Sequence, residues 1–211
     1  MKNLMNLFLQ ETLDKNRLDL LEKFKEIKKM FYLAGTALAL QFHRKSVDFD
    51  FFINNNFTEQ ELFEKMLEIF EQEIKKTFSE KNTLYIEVNQ VKISFFGYKY
   101  KLVDDLIKTD FFDLASYKDI GAMKLWAIQK RATNKDYIDL YYILQKLDLE
   151  TLINCFFHKF KIITTQIILK SLVYFDDIIE EKLFLSDEKL SFNMVKEFFI
   201  NRIKKYESDV S

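Results

Sequence analysis

The chain has 211 residues, of which 48% are hydrophobic and 31% charged. That balance excludes a disulfide-stapled peptide or a disordered tail and fits one large or two small globular domains. Lys and Arg number 32 against 33 Asp and Glu, a net charge of −1, so bulk charge draws the protein to no polyanion and a nucleic-acid partner needs a local basic patch.

Along the chain, the segment 19–29 sets Leu21, Phe24 and Ile27 at three-to-four spacing among lysines and glutamates, which predicts an amphipathic helix. Residues 32–38 read as a short apolar run, a glycine turn at Gly35 and a helix start, where Thr36 caps and backbone N–H groups can hold a phosphate. The segment 47–53 is too β-branched and aromatic for a loop and ends in three asparagines, so it predicts a strand. Thr58 and Glu61 fit a capping box and Phe57 and Leu62 a hydrophobic staple, followed by one apolar stripe of Phe63, Met66, Phe70 and Ile74. Segments 83–88 and 91–98 predict two strands joined at Asn89-Gln90. From Tyr117 onward the pattern is helical, near 117–131, 134–147, 149–160, 164–175 and 191–206. Proline is absent and glycines number three, which leaves no flexible linker. The reading is an α+β protein: a small mixed β-sheet domain with flanking helices over 1–113, packed on a carboxy-terminal helical domain over 114–211.

The residues with chemistry concentrate in two places. In Asp48-Phe49-Asp50 the period of two puts both carboxylates on one strand face about 7 Å apart, with Phe49 and Phe51 on the other. Two carboxylates so placed suit Mg²⁺ (or Mn²⁺) completed by phosphate oxygens and water; a solvated strand end is the alternative. Arg44, just upstream, can neutralise phosphate charge or pair with an aspartate. Downstream, Lys124 lies on an amphipathic helix with Leu125 and Ile128 packing, and it can reach a triphosphate as a point charge. Asp136 and Asp139 share a helix face, although the helix dipole alone would favour Asp136 in a first turn. Lys118, Lys124, Lys130, Arg131 and Lys135 offer a candidate basic patch. Cys155, the single cysteine, excludes an internal disulfide and reads as core packing, as does His158.

The run Ala34-Gly35-Thr36-Ala37-Leu38, then His43-Arg44-Lys45-Ser46-Val47-Asp48-Phe49-Asp50, resembles the nucleotidyltransferase signature of the DNA polymerase β superfamily and, more closely, the opening of the AbiEii/AbiGii toxin family. A second block, Ala122-Met123-Lys124-Leu125-Trp126 with Arg131 and Lys135-Asp136-Tyr137-Ile138-Asp139, resembles that family's later lysine and aspartate motifs. The resemblance implies that Gly35 and Thr36 grip the triphosphate of an NTP, with Arg44, Ser46, Lys124 and Arg131 as further nucleotide-binding positions. Asp48 and Asp50 would hold the metal, and Asp136 or Asp139 would orient or deprotonate the attacking hydroxyl. The superfamily's third acidic position falls, by the alternation of Val91, Ile93 and Phe95, on Ser94, which offers no carboxylate. The implied function is Mg²⁺-dependent transfer of a nucleoside monophosphate to RNA, a tRNA 3′ end in particular, by a toxin with a cognate antitoxin, its nucleotide held in a cleft between the domains; the uncharged run 31–42, too short to span a bilayer, separately predicts a cytoplasmic protein with no membrane partner. The alternatives are a protein acceptor, as in AMPylation, and a catalytically degenerate relative that binds a nucleotide or a partner.

Overall fold

The structure, a computed structural model, describes residues 13–35, 43–44, 48–71, 74–160 and 164–210. Seven strands form one sheet: β1 (Tyr32–Leu33), β2 (Phe49–Ile53), β3 (Lys75–Glu80), β4 (Thr83–Val88), β5 (Val91–Gly97), β6 (Ile107–Lys108) and β7 (Asp113–Leu114). Their spatial order is β3-β4-β5-β2-β1-β7-β6. The sheet is mixed, because β2 runs parallel to β5 and β1 parallel to β7, while the remaining pairs are antiparallel. The β4–β5 hairpin turns through Asn89 and Gln90 with φ of 51° and 64°. Two consecutive positive φ values match the twist that a two-residue hairpin requires.

Alternation divides the central strands into two faces. Phe49, Phe51, Leu84, Ile86, Val88, Val91, Ile93 and Phe95 are fully buried. Asp50, Phe52, Tyr85, Ser94 and Phe96 on the opposite face keep partial exposure. The buried face is an aromatic core: Phe24, from the helix α2 (Leu21–Ile27) that follows the short α1 (Lys15–Leu18), meets the rings of Phe49 and Phe51 edge-on at 4.7 and 5.2 Å. Phe51 also stacks on Phe95 at 5.6 Å. Helix α3 (Glu59–Phe70) adds Leu62, Met66, Ile69 and Phe70.

The expected capping box at Thr58 does not form, since its side chain makes no cap hydrogen bond. The helix also stops short of Ile74, because Glu71 turns left-handed at φ 53°. The strand β3 that follows was not foreseen: all six of its residues are exposed, so its polarity carries no alternation to read.

The carboxy-terminal unit comprises 102–104 and 116–210, and the first unit the described residues of 13–101 and 105–115. Helices α4 (Tyr117–Lys130), α5 (Asn134–Ile143), α6 (Leu149–Phe160), α7 (Thr165–Val173) and α8 (Phe192–Val210) build the second. Ser116 caps α4: its hydroxyl accepts from the Asp119 N–H at 3.1 Å and donates to the Asp119 carboxylate at 2.9 Å. That carboxylate also accepts from the backbone N–H groups of Val103 and Asp104 and meets Lys159 Nζ at 2.7 Å, both partners of the ion pair being fully buried. Gly121 lets α6 approach α4 closely, since a Cβ there would lie 2.5 Å from Leu152 Cδ1. Trp126 stacks on Phe160 at 4.8 Å, and Tyr137 meets Phe199 of α8 at 5.5 Å. Cys155 is buried as expected, and burial pushes its thiol pKa up. Among the described residues, no single helix is long and apolar enough to cross a membrane.

Because Phe51 joins rings from β5 and α2, Phe51→Ala should cost about 3–5 kcal/mol, the range for emptying a buried Phe site. Urea unfolding followed by circular dichroism measures this as a lower midpoint at unchanged slope.

Candidate active site

Of the sequence-predicted positions in the first unit, Gly35, Arg44, Asp48 and Asp50 lie among the described residues, whereas Thr36 and Ser46 lie outside them. Gly35 ends the β1 segment beside β2, because the Ala34 N–H donates to the Asp50 carbonyl at 3.1 Å. A Cβ built on Gly35 would run into Asp50 Oδ2 and stand 3.3 Å from its Cγ. The turn and the carboxylate are therefore in direct contact, and only glycine fits there without displacing the aspartate. Asp48 precedes β2 by one residue and Asp50 sits within it; the buried Phe49 and Phe51 leave both carboxylates on the partly exposed side. His43 and Arg44 are buried, each 4% exposed, so Arg44 is not a surface cation.

Parallel register pairs Asp50 directly with Ser94, and antiparallel register pairs Ser94 with Tyr85. Paired residues present their side chains to one face. The serine thus occupies the position beside Asp50 that the alternation of β5 predicts. Glu87 pairs with Lys92 and Lys75, two residues along from the Ser94 row. Among the described residues no three His, Cys, Asp or Glu side chains gather in a metal-binding cluster. Two carboxylates and a hydroxyl still suit Mg²⁺, which takes one or two carboxylates and fills its shell with phosphate oxygens and water.

In the second unit the structure brings Lys124, Asp136 and Asp139 together. Lys124 Nζ lies 2.9 Å from Asp136 Oδ1 and 2.6 Å from Asp139 Oδ2, and the three side chains are 11%, 5% and 0% exposed. The second oxygen of Asp136 accepts from the Thr133 hydroxyl at 2.9 Å, while the Asp136 N–H donates to that hydroxyl at 3.3 Å, which caps α5. Asp136 therefore has a structural task at a helix start as well as an ion pair, whereas Asp139 has no part in the cap. Lys124, expected as a point charge for the triphosphate, has its amine engaged by two carboxylates inside the unit, apart from the other lysines of the expected basic patch. Lys118 pairs with Asp104 at 2.9 Å, Lys130 lies over the Trp126 ring at 4.9 Å, and Arg131 is exposed at the end of α4.

The family model for the nucleotidyl transferase AbiEii toxin of type IV toxin–antitoxin systems matches residues 20–201. The chain belongs to the AbiEii family. It is thus a nucleotidyltransferase of a toxin family. It is similar to the uncharacterized protein aq_aa25 of Aquifex aeolicus, 35% identical over 187 residues, covering 83% of this chain and 87% of the relative. Its fold is shared by MenT4, a nucleotidyltransferase toxin of Mycobacterium tuberculosis, with a TM-score of 0.59 at 12% identity over 94% of this chain and 88% of that one. JHP933 from Helicobacter pylori shares it with a TM-score of 0.55 at 13% identity, over 94% and 96% of the two chains.

Removing Lys124 would take from two buried carboxylates the ammonium that contacts both. Lys124→Ala should therefore destabilise the AbiEii chain by about 3–5 kcal/mol, as for breaking a buried ion pair. Lys124→Ala combined with Asp139→Asn should recover part of that loss, and thermal denaturation of the two variants measures the difference.

Proposed function

We propose that this AbiEii protein transfers a nucleoside monophosphate from an NTP to an RNA hydroxyl in a metal-dependent reaction, as the toxin of a system with a cognate antitoxin. The observation that carries the reading is the contact between the Gly35 turn and the Asp50 carboxylate, with Asp48 on the same side and Ser94 alongside. A turn with backbone N–H groups suits phosphate oxygens, and carboxylates against it suit a cation shared with those oxygens. In the transfer, the acceptor oxygen forms a bond to the α-phosphorus, the α–β phosphoanhydride bond breaks, and pyrophosphate leaves with its electron pair. Mg²⁺, when bound, supplies charge compensation for the phosphates. Asp48 and Asp50 would hold it, while Gly35 with Thr36, Arg44, Ser46 and Arg131 are the proposed nucleotide-binding positions. Asp139 is the proposed group that orients the acceptor hydroxyl or takes its proton, and the ammonium of Lys124, 2.6 Å away, holds it in position.

Incubation with labelled NTPs, Mg²⁺ and total RNA tests the reading. Label in RNA supports it, and label in protein alone would move the acceptor to a protein hydroxyl. Asp48→Ala and Asp50→Ala should each lower transfer by about a hundredfold or more, with little change in the thermal transition because both side chains are partly exposed. Full activity in either variant would overturn the assignment.

Two carboxylates compensate less for stripping water from Mg²⁺ than three, so metal and NTP should bind with strong positive coupling. Ser94→Asp, set directly beside Asp50 by register, should tighten Mn²⁺ binding by the nucleotide-free protein. Titration calorimetry with and without a nonhydrolysable NTP measures both effects.

A further inference from the structure

The partly exposed face of the sheet carries a continuous row of aromatic rings. Phe78 of β3 lies 5.1 Å from Tyr85 of β4, Tyr85 lies 5.7 Å from Phe96 of β5, and Phe96 stacks on Phe52 of β2 at 5.0 Å. Tyr98 meets Phe52 edge-on at 5.5 Å, and the buried Tyr32 of β1 closes the row at 6.0 Å from Phe52. None of these rings belongs to the aromatic core on the opposite face, around Phe24, Phe51 and Phe95. Phe78 is 43% exposed, and Tyr85, Phe96, Phe52 and Tyr98 are half-buried.

Register makes this row continuous with the candidate site. Tyr85, Ser94 and Asp50 form one line across three strands, and Phe96 and Phe52 form the next line two residues along. We infer that the aromatic face from Phe52 to Phe78 is a stacking platform for the unpaired bases of an RNA strand whose end is delivered to Asp50. The inference deepens the RNA-acceptor reading and rests on it for the direction of the strand.

Length favours a strand over the base of the NTP. From β2 to β3 the row crosses three strand spacings, about 14 Å, which exceeds one nucleobase. Aromatic rings set on a sheet stack two or three unpaired bases whatever their sequence, because every base has a π-face. Charge agrees at the rim. Lys81 and Lys99 are exposed where the strands end near Phe96, Lys99 lying 5.3 Å over the Tyr100 ring, and Lys92 is exposed on the face itself. On the same face Glu80 and Glu87 offset Lys75 and Lys92, so the phosphate attraction is local and modest and stacking must carry the specificity for unpaired RNA.

Fluorescence anisotropy with the full chain tests this, using a labelled unpaired RNA of about ten nucleotides and a hairpin RNA of equal length. Tyr85→Leu and Phe78→Leu should each weaken binding of the unpaired RNA by about fivefold or more, Tyr85→Phe should restore it, and the Kd for NTP should stay unchanged in all three. Phe78 is exposed enough for its variant to fold even if the Tyr85 variant does not. Unchanged affinity in Phe78→Leu and Tyr85→Leu, equal binding of the hairpin, or a loss confined to NTP would overturn the platform. Transfer of label is read in the same samples. RNA held through the rings but never labelled upholds the platform and overturns the RNA-acceptor reading; labelled RNA with indifferent ring variants does the reverse.

Discussion

The parallel pairing of β2 with β5 is the constraint from which both halves of the first unit follow. In that register Phe51 stands beside Phe95 on one face and Asp50 beside Ser94 on the other. A slip of one residue would turn the aspartates into the core and the phenylalanines into solvent, each buried unpaired carboxylate costing several kcal/mol. The hydrophobic face therefore guarantees the polar one. The aromatic core that Phe24, Phe49, Phe51 and Phe95 build also holds Asp50 against the Gly35 turn.

The helical unit solves a different problem, that of placing charged groups in an apolar bundle. Among the described residues it does so twice, with Lys159 against Asp119 and with Lys124 against Asp136 and Asp139. The first pair balances and is completed by two backbone N–H groups and the Ser116 hydroxyl, so every strong acceptor direction has a donor. The second sets one ammonium against two carboxylates. Both clusters also hold a helix start, Asp119 with Ser116 at α4 and Asp136 with Thr133 at α5.

Ser94 gives the sheet site its particular character. The register sets a hydroxyl, and not a third carboxylate, beside Asp50. The same row of residues then continues into Tyr85 and the aromatic face. One sheet surface thus passes within two strands from a carboxylate and a hydroxyl to a row of aromatic rings.

The sequence by itself determined the elements whose periodicity is strong and whose faces differ. The acidic strand, the Asn89-Gln90 hairpin and the helices from Tyr117 onward were legible because burial on one side only writes itself into alternation or three-to-four spacing. The motif residues Gly35, Asp48, Asp50, Lys124 and Asp139 were legible as a pattern. Strand β3 was not, since exposure on both faces erases the pattern, nor were the two-residue strands β1, β6 and β7, which exist only because a neighbour supplies their hydrogen bonds. The end of α3 was decided by the left-handed turn at Glu71, which interrupts an apolar stripe that runs on in the sequence. Only the tertiary structure could bring Lys124 between Asp136 and Asp139, twelve and fifteen residues away on another helix, and bury the three side chains together. The same holds for the aromatic face: Phe52, Phe78, Tyr85 and Phe96 are scattered through the sequence, and pairing across strands, a long-range choice, is what lines them up.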